Sequence, residues 1–227
     1  MTALLDRIGR PVAAVLAVAG IAAAVLVGGG GLDTVVGCGI ADDDRPSRTA
    51  EDWVTHADHV VVATPTAERD TGRRDFTEGA LRYATDRTVT FRTDDVLWSA
   101  KSPRHSLGEN FDMVAAGWQV YRNGTRTKAT TAYAPRLETG HTYLLALRRA
   151  DDRWTVLGEG AAVPFDDRTV ARGEWCGRVL GEENVARGER FSRTDDRSLE
   201  KLLAGRDGQA VKRALDSAGA KASAPKP

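Results

Sequence analysis

The chain changes its hydrophobic rhythm twice. Residues 12–27 run without a polar side chain, and residues 28–32 prolong the stretch uncharged. Counted to Leu32, it reaches about the 20 residues a helix needs to cross a bilayer core, longer than the roughly 7–15 apolar residues of a cleavable signal. Arg7 and Arg10 precede it, which predicts a retained signal-anchor with the N-terminus cytoplasmic and everything beyond Leu32 outside the membrane. Residues 1–37 are thus read as cytoplasmic tip, transmembrane helix and glycine-rich exit. Cleavage within residues 28–37 stays open as an alternative. So does lipidation of Cys38 behind Val35, Val36 and Gly37, against which Asp33 and the glycine run count.

Residues 38–58 form a polar linker carrying Asp42, Asp43, Asp44 and Pro46, followed by a short helix. Thr49 has the character of its N-cap, Glu51 and Asp52 fill the first turn, and Trp53, Val54 and Ala57 supply an apolar side. From His59 the pattern becomes that of strands. Val60, Val61 and Val62 predict a short buried strand over residues 59–64 that stops at Pro65, with residues 69–74 as a charged loop. Thr88, Thr90 and Arg92 alternate with Val89, Phe91 and Thr93, a half-buried strand leading into Val96, Leu97 and Trp98.

Residues 111–121 begin another strand. Asn123-Gly124 predicts a type I′ hairpin turn, with residues 125–131 returning. Residues 142–147 and 154–157 flank a turn at Asp151-Asp152, and Val163 and Phe165 add a last short strand. The expected fold is mainly β: a small antiparallel OB-like barrel over residues 59–167, with the N-terminal transmembrane helix before it and C-terminal helices after it. Residues 168–219 read as an irregular, glycine-rich and helical extension. One helix spans about residues 197–204 and is stopped by Gly205; another runs from an Asp207 cap to about Ser217, with Ala210, Val211, Ala214 and Leu215 on one face. Residues 220–227 are a tail expected to be disordered.

The succession Ala57-Asp58-His59-Val60-Val61-Val62-Ala63-Thr64, then Val89-Thr90-Phe91-Arg92 ending in Val96-Leu97-Trp98, then Leu137-Glu138-Thr139-Gly140-His141-Thr142-Tyr143-Leu144-Leu145 resembles bacterial netrin-like modules. These share the OB-type barrel of tissue inhibitors of metalloproteinases. The resemblance covers roughly residues 57–166 and implies the barrel. In the inhibitors a free N-terminal cysteine amine chelates the protease zinc, and a Cys-x-Cys start is braced by several disulfides. Here residue 40 is Ile40 and an anchored chain has no free amine at Cys38, so the inhibitory mechanism does not carry over. The long apolar N-terminus and the Arg, Ala and Asp usage also look like exported proteins of GC-rich actinobacteria.

Charge removes one class of partner. Lys+Arg and Asp+Glu both number 32, and residues 1–37 take two of each, leaving a neutral exported part. Binding of nucleic acid, which draws on a basic surface, is therefore not expected. His56 and His59, with Asp58 between them, are the best metal candidates the sequence offers, because an i, i+3 pair can share a helical face. The helix is expected to end between them, so the reading settles on no metal site and no cofactor. No His-Glu-x-x-His, Cys-x-x-Cys or Gly-x-Ser-x-Gly occurs, and no catalytic residue is assigned. Gly158 and Gly160 read as a turn. Asp-Asp-Arg at Asp43, Asp151, Asp166 and Asp195 reads as turns and caps. Asn123-Gly124-Thr125 matches a glycosylation sequon, and a hairpin tip accounts for it equally well.

Trp98, Trp118, Trp154 and Trp175 read as fillers of a small barrel core or its ends. The long loops where a binding site would sit are residues 99–109 and 126–136. Cys38 and Cys176, the only two cysteines, would share an oxidising compartment, which predicts a disulfide between them. The functional expectation is a membrane-anchored extracytoplasmic binding or structural module, non-enzymatic, held in the cell membrane through residues 12–32 and facing an envelope protein or polymer. The alternative is a divergent exported hydrolase using Asp and His residues scattered in sequence.

Overall fold

The computed structural model describes residues 35–37, 45–131, 134–175, 178–180 and 197–223. The apolar stretch of residues 12–32, Cys38, Cys176, Asp43, Asp44, Asp195 and Asp196 lie outside them, and the expectations for these residues with them. Among the described residues no helix is long and apolar enough to cross a membrane.

The chain is mainly β. Strand β1 (Val35–Gly37) is followed by helix α1 (Ala50–His56), then β2 (His59–Asp75), β3 (Leu81–Ser99), β4 (Asn110–Tyr121) and β5 (Arg126–Thr130). After these come β6 (Tyr143–Ala150), β7 (Arg153–Val156), β8 (Ala162–Pro164), the hairpin of β9 (Gly173–Trp175) and β10 (Arg178–Leu180), and helices α2 (Leu199–Leu203) and α3 (Gly208–Ala222). Five strands form a ring in the order β4-β3-β2-β6-β7. All its pairings are antiparallel except the closing one, a parallel contact between Met113 of β4 and Trp154 of β7. Strand β1 runs parallel to β5, with Val35 opposite Lys128 and Gly37 opposite Thr130.

The wall made by β2 and β6 is buried on both faces, which is why its sequence is continuously apolar rather than alternating. Val61, Ala63, Leu145 and Leu147 turn into the ring, where they meet Val89, Phe91, Phe111, Met113 and Trp154. The Phe91 and Phe111 rings stack there with centroids 5.1 Å apart. Val60, Val62, Leu144 and Ala146 turn outward, into a second core with Trp53, Leu97, Leu199, Val211 and Leu215. The terminal helices therefore complete the outer core, and α1 packs on α3. Thr49 caps α1 in a reciprocal capping box with Asp52, and Trp53 Nε1 donates to the Ser47 carbonyl at 2.7 Å. Ser198 caps α2 and Asp207 caps α3, which extends past Ser217 to Ala222.

Three expectations need correction. Strand β2 does not stop at Pro65. Its pairing with β6 ends at Ala63, so beyond that point one edge is free and a residue lacking N–H is tolerated, at a bulge between Pro65 and Ala67. Residues 69–74 are not a loop: they continue β2 along β3, with a second bulge at Gly72, whose φ is +27°. This ribbon is largely exposed, so it carries none of the apolar alternation that marks a half-buried strand. The Asn123-Gly124 turn is a hairpin, but only Gly124 has positive φ, +87°. It is the left-handed residue of a three-residue loop, closed by Tyr121 and Thr125. The two-residue turn with both φ positive falls instead at Asp151 and Asp152, 46° and 60°.

Candidate functional site

The ring is weakest where it closes. Met113 and Trp154 make the only ladder contact between β4 and β7, and β4 reaches β5 only over residues 118–120. Backbone carbonyls on either side of this seam need donors from elsewhere. Two arginines supply them. Arg87 is 1% exposed, on the same inward parity of β3 as Val89 and Phe91. Its Nε donates to the Ala116 carbonyl at 3.0 Å, Nη1 to Glu68 and, at 3.3 Å, to the Leu137 carbonyl, and Nη2 to the Arg136 carbonyl. Arg136, also 1% exposed, donates from Nη1 to the carbonyls of Gly117 (2.5 Å) and Ala129, and from Nε to Glu138 (2.7 Å).

Gly117 is needed at that crossing, because a Cβ there would lie 2.6 Å from Thr85 Oγ1 and 2.7 Å from its carbonyl oxygen. The Arg136 guanidinium is held below its usual pKa, first by burial and then by the charge of Arg87, while Glu138 and Glu68 oppose the shift. Lys128 joins the cluster through Glu138 at 3.1 Å. Arg126 lies 3.6 Å and Arg136 5.1 Å from the Trp118 ring centre, so this tryptophan is a platform for cations rather than a core filler.

A groove of about 570 Å³ opens along the seam. Val114, Ala115 and Ala116 of β4 form one side, and Ala150, Val156 and Leu157 the other. Thr130, Ala134, Pro135 and Arg136 close its end, while Arg45, Arg148, Asp86 and Glu159 bring charge to it. Its size and mixture of apolar walls with a few polar groups are those of small-ligand sites. The loop 126–136, singled out from sequence, contributes to this groove, although Arg126–Thr130 is a strand.

The histidines are arranged differently from a metal site. His56 ends α1, while His59 opens β2 with Nδ1 2.9 Å from Ser99 Oγ and Nε2 2.8 Å from the His105 carbonyl oxygen. A carbonyl accepts only, so Nε2 of His59 is a donor and both ring nitrogens are engaged. Asp58 accepts from the backbone N–H groups of Arg104 (3.3 Å) and Arg149 (3.0 Å), tying the loop after β3 to β6. Among the described residues no three His, Cys, Asp or Glu side chains gather as a metal group. The structure instead joins His141 Nδ1 to Asp166 at 2.7 Å; the same carboxylate accepts from the Thr142 N–H and so anchors the start of β6. Gly160 packs where a Cβ would come 2.5 Å from the Ser47 carbonyl oxygen, which explains the second glycine of the Gly158 turn.

Sequence reading passed over Arg87 and Arg136, since arginine usually reads as surface. The signal for Arg87 lay in the strand itself: residues 87, 89 and 91 share one face, and two of them are Val and Phe. Arg136, between Pro135 and Leu137 outside any strand, carries no such mark. No protein-family model matches the chain, and no curated protein matches it.

Proposed function

We propose that this chain is a membrane-anchored, extracytoplasmic binding module: an OB-like barrel of the netrin-like type, tethered through residues 12–32, whose ligand lies in the seam groove. The observation that carries the reading is the groove itself, an open cleft built on a rigid support of two buried arginines. The β4-β3-β2-β6-β7 ring fits the five-stranded OB plan. The side chains that a hydrolase would draw on, His59, Asp58 and Asp166, hold backbone and loops in place, which favours binding over catalysis. The envelope partner and the Cys38–Cys176 disulfide belong to the same reading.

Two measurements test it. In spheroplasts, external protease should remove a C-terminal epitope from a chain that fractionates with membranes; a chain protected from protease, or recovered in the cytosol, overturns the placement. A chemically broad small-molecule screen on the purified full chain should raise the unfolding temperature with at least one compound, and the rise should vanish when Ala115→Trp fills the groove.

A further inference from the structure

We infer that the hairpin end of the sheet docks on the anionic headgroups of the membrane surface; the inference rests on the membrane-anchored reading and names the end of the domain that the bilayer meets. Strand β1 sets the geometry. The apolar stretch ends at Leu32, so only Asp33 and Thr34 separate it from Val35, a distance of at most about 11 Å along the chain. Val35 is opposite Lys128 and Gly37 opposite Thr130 in a parallel pairing, so the chain enters β1 from the side of Arg126, where β5 leaves its hairpin with β4. Gly124, at the tip of that hairpin, lies beyond Lys128 in the same direction by about 13 Å. A bilayer surface within reach of Leu32 is therefore level with the tip. The β2-β3 hairpin ends at the same place: Arg122 donates from its backbone N–H to the Ala80 carbonyl at 2.9 Å, from Nε to that of Gly79 at 2.8 Å and from Nη2 to that of Phe76 at 2.6 Å.

Charge at this end suits such a surface. Residues 73–84 and 119–126 carry five arginines, Arg73, Arg74, Arg82, Arg122 and Arg126, against two carboxylates, Asp75 and Glu78, in a chain whose net charge is zero. All five arginines are exposed. Arg73 pairs with Asp75 at 2.6 Å, and Arg126 reaches back to Asp70 at 3.4 Å. Arg122 gives its donors to carbonyls, which leaves its charge uncompensated, and Arg74 and Arg82 form no ion pair among the described residues. The surplus is positive even with Asp70 set against Arg126. Basic clusters held close to a bilayer are drawn to anionic lipid, and one that adds to a hydrophobic anchor strengthens the attachment. Arg73 lies 3.9 Å from the Tyr83 ring centre and Arg126 3.6 Å from that of Trp118, and Tyr and Trp are the aromatic types enriched where membrane meets water.

The experiment places the full chain in nanodiscs of phosphatidylcholine, alone or with about one third phosphatidylglycerol, and follows amide hydrogen exchange at residues 76–81 and 122–126. Exchange at both tips should slow about threefold in the anionic discs. Salt at about 0.5 M should erase the difference, because it cuts the screening length to about 4 Å. Arg74→Glu combined with Arg82→Glu should abolish the slowing and Glu78→Lys should deepen it, an opposition of sign that local unfolding does not produce. Lys212→Glu, on α3, which packs against Leu97 at the opposite end of β3, should leave it unchanged. Equal exchange in the two kinds of disc, or slowing that survives the paired arginine reversals, overturns the inference alone. Loss of the slowing in the Lys212 variant overturns its location. A chain that co-purifies with neither disc overturns the anchored reading and the inference with it.

Discussion

The two sides of the ring solve the same problem by opposite means. The wall of β2 and β6 is closed by a full ladder and covered by helices, with Val60, Leu144 and Leu215 all at 0% exposure. The seam between β4 and β7 has one ladder contact and is held by guanidinium groups reaching five carbonyls and two carboxylates. An apolar wall tolerates repacking provided volume is kept, because dispersion and burial are non-directional. A polar seam tolerates little, because every donor has a direction and a buried orphan is penalised. The difference explains why the groove lies at the seam: directional contacts leave gaps that apolar packing would fill.

The comparison can be broken in four ways, in falling order of effect. Ending the chain at Gly205 removes Val211 and Leu215 from the outer core and should abolish cooperative unfolding, read by circular dichroism on heating. A sharp transition in the shortened chain would show that the wall stands without its cover. Arg136→Leu should cost about 2–4 kcal/mol, since it takes the buried donor from the Gly117 and Ala129 carbonyls and leaves Glu138 only its pairing with Lys128. A loss below 1 kcal/mol in urea titration would mean that the seam is held by something other than its arginines.

Asp58→Asn keeps the shape but loses a charge-assisted pair of acceptors, for an expected loss of about 1.5–3 kcal/mol. It should also quicken amide exchange at Arg104 and Arg149; unchanged exchange would separate the carboxylate from its loop. Thr49→Ala removes one half of the capping box on α1 and should cost about 1 kcal/mol, with the midpoint of denaturation moved and its slope kept.

Legibility in the sequence followed the same divide. The wall was readable because burial on both faces writes itself as Val60-Val61-Val62 and Tyr143-Leu144-Leu145, and the caps at Thr49 and Asp207 because short polar side chains there have one job. The outer half of β2 was not, since residues 66–75 owe their strand state to pairing with β3 rather than to any burial of their own. The groove was half readable: its loop was marked, its arginines were not. A buried arginine depends on carbonyls contributed by residues 116, 117 and 129, distant in sequence, and that meeting exists only once the strands are in register.

Helix α3 also decides when the molecule can finish folding. Val211 and Leu215 share a core with Trp53 and Val60, from which most of the chain separates them. Until α3 leaves the ribosome, the outer faces of β2 and β6 lack its cover and the second core stays incomplete. A nascent chain cut short before α3 displays Val60, Val62 and Leu144 as an apolar strand surface, the kind that chaperones and proteases recognise.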